Sequence, residues 1–251
     1  MKFLTGVTSG TGWVRNYFSP AIFGLVILLV AILALPQGPV EAVATESDSP
    51  ILEPSANMAL QLTSVLDSYV TFGDPAKLDL PSFTIETWFK RTGVGTSNST
   101  GTGGITIIPL LTHGAPEADN SNVDANWILG INTAGNVIAA DFEANPGGQN
   151  HPISGATAIT TNVWHHAAAT FDGTVWRLYL DGNLENSSSP GAVPRSDTIQ
   201  RAALGAMITS TGTALGRFEG MIDEARVWNY ARTSAEILAS KNAELTSGTG
   251  L

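Results

Sequence analysis

Asp141 and Glu143 stand two positions apart in Val137-Ile-Ala-Ala-Asp-Phe-Glu143. On an extended strand that spacing puts both carboxylates on one face. Two carboxyl groups flanking one bond are what glycoside hydrolysis requires. A pair of edge charges has the same spacing, so the pattern names candidates and nothing more. Asp223 and Glu224 are adjacent and point to opposite faces of a strand. Other catalytic classes lack their parts. Cysteine is absent, which removes thiol nucleophiles and disulfides. There is no Gly-x-Ser-x-Gly elbow. His113, His151, His165 and His166 are not spaced as zinc ligands on a helix. His165-His166 reads as one buried and one surface imidazole on a strand.

Oxygen ligands are more plentiful. Asp119-Asn-Ser-Asn-Val-Asp-Ala-Asn126 gathers carboxylates and amides in one loop, the donor set that calcium takes. Asp119, Asn122 and Asp124 are its candidate ligands. Asn and Asp also favour turns for backbone reasons, so a solvated turn is the competing reading. Sugar binding needs an aromatic ring to stack on and a few polar groups around it. Trp164, His166, Arg177 and Tyr179 offer both on one face of a hairpin. Trp88 and Trp127 are further rings, though tryptophan in a sandwich usually packs in the core. For Arg177 a pairing with an acidic neighbour competes.

The hairpin spans Asn162 to Gly182. Asp172-Gly173 reads as a two-residue turn. That register sets Phe171 opposite Thr174, Ala169 opposite Trp176, Ala167 opposite Leu178 and His165 opposite Leu180. This face is nearly all apolar and belongs to the core, with small alanines leaving room for the Trp176 indole. The other face carries Trp164, His166, Ala168, Thr170, Val175, Arg177 and Tyr179. It is expected to be half wet, or covered by something polar. Asp181-Gly182 signals a further strand at once.

The rest of the chain repeats this grammar. Phe83, Ile85, Thr87 and Phe89 alternate with Thr84, Glu86 and Trp88. Ala59–Leu62 and Asp67–Asp74 read as early strands, Ile105–Leu111 as a buried strand with Pro109 at an edge or bulge. Trp127–Asn132 and Val137–Glu143 form a hairpin around Thr133-Ala-Gly-Asn136. Ala203–Ile208 and Phe218–Trp228 close the series. Thr92–Gly104, Gly114–Asn126 and Asn145–Gly155 are turn-rich loops, the first expected to be exposed and mobile. Thr233-Ser-Ala-Glu236 is a capping box that opens a short helix ending near Lys241. Strands at intervals of roughly ten residues with one late helix predict an all-β, two-sheet antiparallel sandwich.

The chain has 251 residues, 43% hydrophobic and 14% charged, which suits a globular β protein and argues against disorder. Ala21 to Leu35 is uncharged and apolar, preceded by Lys2 and Arg15 and followed by Ala42-Val43-Ala44. That is the layout of a secretory signal over residues 1–44. The run is short of the roughly 20 residues a membrane span needs, yet an uncleaved anchor is the alternative. Both place the remainder in the secreted or cell-surface space. Residues 45–54 read as a linker, 55–245 as the domain and 246–251 as a tail. Beyond residue 44 the chain carries 10 basic and 21 acidic side chains, a net of −11. That disfavours nucleic acid, and leaves the membrane as a partner only through the N-terminal segment.

Trp164-His-His-Ala-Ala-Ala-Thr-Phe-Asp-Gly173 with Leu178-Tyr-Leu-Asp-Gly182 resembles the central signature of laminin G-like, concanavalin A-like jelly-roll domains, the pentraxin-related group included. Phe83–Trp88 and Phe218–Arg232 resemble that family's early and last strands, in the same order. The resemblance covers roughly Ser55 to Leu245 and implies the jelly-roll fold. It also implies a structural calcium ion held by an aspartate of the last strand near the first strands, for which Asp223 and Asp67 are the matching residues. Glucanases of this fold place several acids on alternate residues of one strand. No Glu-x-Asp-x-Glu run occurs here. The expected function is a non-catalytic binding or adhesion module that recognises glycan through its loops or its wet sheet face. An assembly protein docking cell-surface proteins and a divergent glycoside hydrolase using Asp141 and Glu143 are the alternatives.

Overall fold

The computed structural model describes residues 58–245 and Gly250. The signal or anchor segment, the linker and, Gly250 apart, the tail lie outside the described residues. Strands β1 (Leu60–Leu62), β2 (Val70–Gly73), β3 (Phe83–Arg91), β4 (Asn98–Ser99) and β5 (Thr106–His113) come first. They are followed by β6 (Trp127–Asn132), β7 (Val137–Asp141), β8 (Ile153–Ala158), β9 (Trp164–Phe171) and β10 (Trp176–Leu180). Then come β11 (Asn183–Ser188), β12 (Ala202–Leu204), β13 (Met207–Ile208), β14 (Ala214–Leu215), β15 (Gly220–Trp228) and helix α1 (Ser234–Ser240). Sheet A runs β1-β15-β3-β9-β10-β11, and sheet B runs β2-β12-β5-β6-β7-β8 with β4 paired to β5. Neighbouring strands pair antiparallel, as in β3–β9 and β5–β6. Order and pairing give the expected two-sheet sandwich, with nonsequential neighbours of the jelly-roll kind.

Period-two alternation decides which face each strand buries. Phe83, Ile85 and Phe89 of β3, Ala167, Ala169 and Phe171 of β9, and Trp176, Leu178 and Leu180 of β10 point inward from sheet A. Leu129, Ile131, Ile138 and Ala140 answer them from sheet B. Phe83, Phe142, Phe171 and Trp176 meet at the centre, with centroid separations of 5.4 to 6.3 Å and mostly edge-on geometry. Such offsets suit ring quadrupoles and add to the burial of each ring.

The central hairpin keeps its predicted faces but not its predicted register. Phe171 pairs with Trp176, Ala169 with Leu178 and Ala167 with Leu180. Every pair is therefore displaced by two positions. The connection runs from Asp172 to Val175, closed by Asp172 N–H donating to the Val175 carbonyl at 3.3 Å. Asp172 Oδ1 accepts from the backbone N–H of Thr174 and Val175 at 2.9 and 2.7 Å. Asp172 thus lengthens the turn by offering its own carboxylate to the loop amides. A slip of two preserves side-chain parity, so core and outer faces survive.

Other expectations are adjusted in detail. Pro109 lies within β5, where the pairing with β6 shifts between Pro109 and Leu111, so it marks a bulge and not an edge. Asn145–Gly155 contains the start of β8, and Asn183–Ser188 forms β11. The segment Thr92–Gly104 is not a free loop. Asn98 and Ser99 pair with β5, and Thr96 bridges to Arg217.

Candidate functional site, a rim of loops above two buried carboxylates

The outer face of sheet A is not wet where the hairpin face was expected to be. Helix α1 lies across it. Thr233 caps the helix, its Oγ1 accepting from Glu236 N–H at 3.3 Å while Glu236 Oε2 accepts from Thr233 N–H at 2.7 Å. Seven residues make a helix too short to persist alone, so the sheet must hold it. Ile237 is fully buried against Ala168 and Tyr179. The carbonyls of its last turns, left without helical partners, accept from sheet side chains. Arg226 Nη1 donates to Ser240 O at 3.1 Å and Trp88 Nε1 to Lys241 O at 2.6 Å. Beneath, Glu86 is fully buried and accepts from Arg232 Nη1 at 2.8 Å and Trp228 Nε1 at 2.9 Å.

This cover divides the four predicted ligand-binding residues. His166 and Tyr179 are 1% and 3% exposed, which corrects the expectation of a wet aromatic face. Burial and the charges of Arg226 and Lys241 push the His166 imidazole down to about 3, so it stays neutral. Trp164 remains half-exposed at one side, with Lys90 Nζ 5.7 Å from its ring centroid. Arg177, on the other side, pairs with Asp172 at 2.7 Å. The reading "covered by something polar" is the one realised, the polar cover being α1 and its arginine clamps.

The other candidate pair, Asp141 and Glu143, points from the outer face of sheet B, opposite in parity to the core residues Ala140 and Phe142. Three predicted loops converge on it. Asp141 Oδ2 accepts from Thr100 Oγ1 at 2.6 Å and from Asn150 Nδ2 at 3.1 Å. Asn150 Nδ2 also donates to Thr100 O at 2.8 Å, tying the first loop to the third. Glu143 Oε2 accepts from Ala125 N–H of the second loop. Asn120 Oδ1 accepts from Gly147 N–H at 3.1 Å, joining the second loop to the third. Gly101, at φ +117°, passes so close that a Cβ there would sit 2.8 Å from Asn150 Oδ1 and 3.3 Å from Glu143 Oε1. Only a glycine lets the first loop close over the acids.

Asp141 and Glu143 are 0% and 1% exposed. Burial pushes Asp141 up to about 7 despite the hydrogen bonds it accepts. Burial, with Asp124 and Asp141 nearby, pushes Glu143 up to about 8. Above them the rim presents Asp119, Asn120, Asn122, Pro146 and Gln149 to solvent.

Arg195 locks this arrangement, and the sequence reading passed over it. It is 8% exposed. Its guanidinium donates to Asp124 Oδ2 at 2.9 and 3.2 Å, and to Asn145 Oδ1 and Asp197 Oδ1 at 3.2 Å each. Its backbone N–H donates to Glu143 O at 2.9 Å. The signal was present: Arg195 is the only cation between Arg177 and Arg201.

The expected calcium ligands do not form a cage. Among the described residues no group of three or more histidine or carboxylate side chains is placed to hold a metal ion. Asp124 turns inward to Arg195 and Ser121 N–H, while Asp119 and Asn122 face solvent. Of the three expected ligands only Asp124 meets the Arg195 guanidinium. Asp67 pairs with Arg217, which precedes β15, and Asp223 lies within that strand, its Oδ1 accepting from Glu224 N–H at 2.8 Å beside a bulge. Asp67 and Asp223 thus each have a protein partner.

Comparison with known proteins agrees with this geometry. Mouse pappalysin-1 is 25% identical over 177 residues, covering 65% of this chain and 10% of that protein. The chain thus spans about a tenth of the curated relative. The sialidase CBM40 module of Ruminococcus gnavus bound to α2,3-sialyllactose superposes with a TM-score of 0.54 at 17% identity, over 72% of this chain and 94% of that one. The enzymatically active domain of the bacteriophage CBA120 tailspike protein 2 gives a TM-score of 0.51 at 16% identity, over 74% and 27%. At these identities the likeness concerns the fold alone. The family model of the concanavalin A-like lectin/glucanases superfamily matches residues 63–238. Sandwich, hairpin signature and family match together make this chain a member of the concanavalin A-like lectin/glucanases superfamily.

Proposed function

We propose that the chain is an exported, non-catalytic carbohydrate-binding module that docks glycan on the rim above Asp141 and Glu143. One observation carries this: the three polar loops meet over one patch, and the two acids beneath them are sealed. An acid or base must come within hydrogen-bond reach of the atom it serves. Carboxylates with 0% and 1% exposure are out of reach of a glycosidic bond and serve the loops instead. Exposed amides and carboxylates of Asp119, Asn120, Asn122 and Gln149 are the groups left to meet sugar hydroxyls. Export is read from the N-terminal segment. The CBM40 module bound to sialyllactose is a precedent for glycan recognition on a similar fold.

A glycan array tests the proposal. The reading expects hits that weaken in Asn122→Ala and Gln149→Ala, with unchanged circular dichroism. A silent array together with self-association on sizing would replace it with a protein-docking role. Release of reducing sugar from a polysaccharide, lost in Glu143→Gln, would replace it with hydrolysis.

A further inference from the structure

Arg91, the last residue of β3, carries a charge that no acid answers. Among the described residues Arg177, Arg195, Arg217, Arg226 and Arg232 each meet a carboxylate. Arg91 and Arg201 do not, and Arg91 lines a cleft of about 280 Å³. Burial draws the Arg91 guanidinium below its usual pKa, and no neighbouring acid pulls it back up. A charge that loses water without gaining an anion is costly. The acids at this end of the sandwich are engaged elsewhere. Glu219, whose carbonyl accepts from Thr92 and Gly93 N–H, turns its carboxylate to Ser64 N–H at 2.6 Å and Ser64 Oγ at 2.5 Å. Asp67 pairs with Arg217.

Three neutral oxygens hold the Arg91 side chain in place. Its Nε donates to Gly93 O at 2.8 Å, its Nη1 to Asn136 Oδ1 and its Nη2 to Val94 O at 3.0 Å. Arginine has five N–H groups in a planar fork. One N–H is therefore left on each terminal nitrogen, and the Nη2 contact lies at the exposed side. A carboxylate takes two such groups side by side. The other walls are fixed as well. Thr96 and Arg217 exchange backbone hydrogen bonds at 2.8 and 2.7 Å. At Gly95, with φ +67°, a Cβ would sit 2.4 Å from Arg217 O and 3.3 Å from Ile108 Cγ2, so only glycine brings the loop this close. Asn136 is anchored by its Nδ2 donating to Ile159 O at 2.8 Å. Val94 and Ile108 give the cleft an apolar side, and Ser97 and Thr133 add hydroxyls.

The single cation sets the ligand class. One guanidinium balances one negative charge, so a monoanion fits and a dianion is left half compensated. The chain's net charge of −11 beyond residue 44 repels anions at long range, so selection falls to the short-range fork.

We infer that this cleft binds the carboxylate of a small organic acid, at a site separate from the loop rim. Asn136 precedes β7 and Asp141 ends it, so cleft and rim lie roughly 16 Å apart along the strand. The two free N–H groups of Arg91 take the carboxylate oxygens, and Val94 and Ile108 meet the adjoining carbon. One fork on a small ligand binds at about 1–10 mM.

The test titrates sodium butyrate and sodium D-glucuronate, with butyramide, methyl β-D-glucopyranoside and sodium sulfate as controls. NMR follows the Arg91 Nε–Hε signal and the amides of residues 94–97. At least one carboxylate should bind, about tenfold or more tighter than its uncharged counterpart. Binding of butyrate alone assigns an aliphatic acid, and tighter binding of glucuronate a sugar acid. Arg91→Lys, which keeps the charge and loses the fork, should weaken binding about three- to tenfold. Val94→Asp, at a position 77% exposed, sets a carboxylate beside the guanidinium and should abolish binding with circular dichroism unchanged. Asn122→Ala on the rim should leave binding as it is. No shift with either carboxylate at about 50 mM, equal binding of the uncharged counterparts, tighter binding of sulfate, or wild-type affinity in either cleft variant would each overturn the proposal. A silent glycan array leaves this site standing, and failure of this titration leaves the rim standing.

Discussion

Replacing Arg195 by methionine should be among the most damaging single changes near the rim. Methionine fills much of the same volume without charge, so packing changes little. The electrostatics change greatly. Asp124 is 1% exposed and takes two hydrogen bonds from the guanidinium. Its Oδ1 already lacks a partner, so only the Ser121 N–H would remain on the carboxylate. Removing one member of a buried pair costs about 3–5 kcal/mol, because the remaining charge stays buried alone. For a domain of this size each kcal/mol moves the melting temperature by roughly 2–4 °C. The expected loss is therefore about 6–20 °C. Thermal melts followed by far-ultraviolet circular dichroism measure it. Asp124→Asn added to Arg195→Met should recover part of the loss, since the stranded charge is then gone. A melt of Arg195→Met within about 2 °C of wild type would refute the clamp.

Other outcomes follow from the same contacts. Asp141 and Glu143 keep their protons in the folded chain to about 7 and about 8 but lose them near 4 when unfolded. Over pH 4 to 8 the folded state binds more protons, so stability falls as pH rises, by up to about 1.4 kcal/mol per pH unit for each acid, and levels off above. Urea midpoints across that range measure the slope, which Glu143→Gln should reduce. Trp176→Ala, emptying the centre of the aromatic cluster, should cost about 3–5 kcal/mol in a urea titration. Ile237→Ala should cost about 2–4 kcal/mol and speed amide exchange in α1 first, since Ile237 is the helix's buried anchor. Gly101→Ala should lower stability and open the first loop, the Cβ having no room between Asn150 and Glu143.

The sandwich was legible because parity is robust. A two-position error in the central register left Phe171, Ala169, Trp176 and Leu178 inside, since face depends only on odd or even position. The capping box was legible because its partners lie three residues apart. What escaped depends on contacts distant in sequence. Nothing near Ala168 or Tyr179 announces that Ile237 will cover them. Nothing in the loop Asp119–Asn126 announces that Arg195, 71 residues from Asp124, supplies its cation. The loops were recognised as polar and turn-rich, but Thr100 and Asn150 drew no notice until the fold brought them to Asp141.

An amide NMR footprint of an oligosaccharide chosen from the array tests the central claim most directly. Shifts confined to Thr92–Gly104, Gly114–Asn126 and Asn145–Gly155, with no new reducing ends after prolonged incubation, are the predicted result. Shifts that avoid all three loops, or steady cleavage of the oligosaccharide, would contradict it.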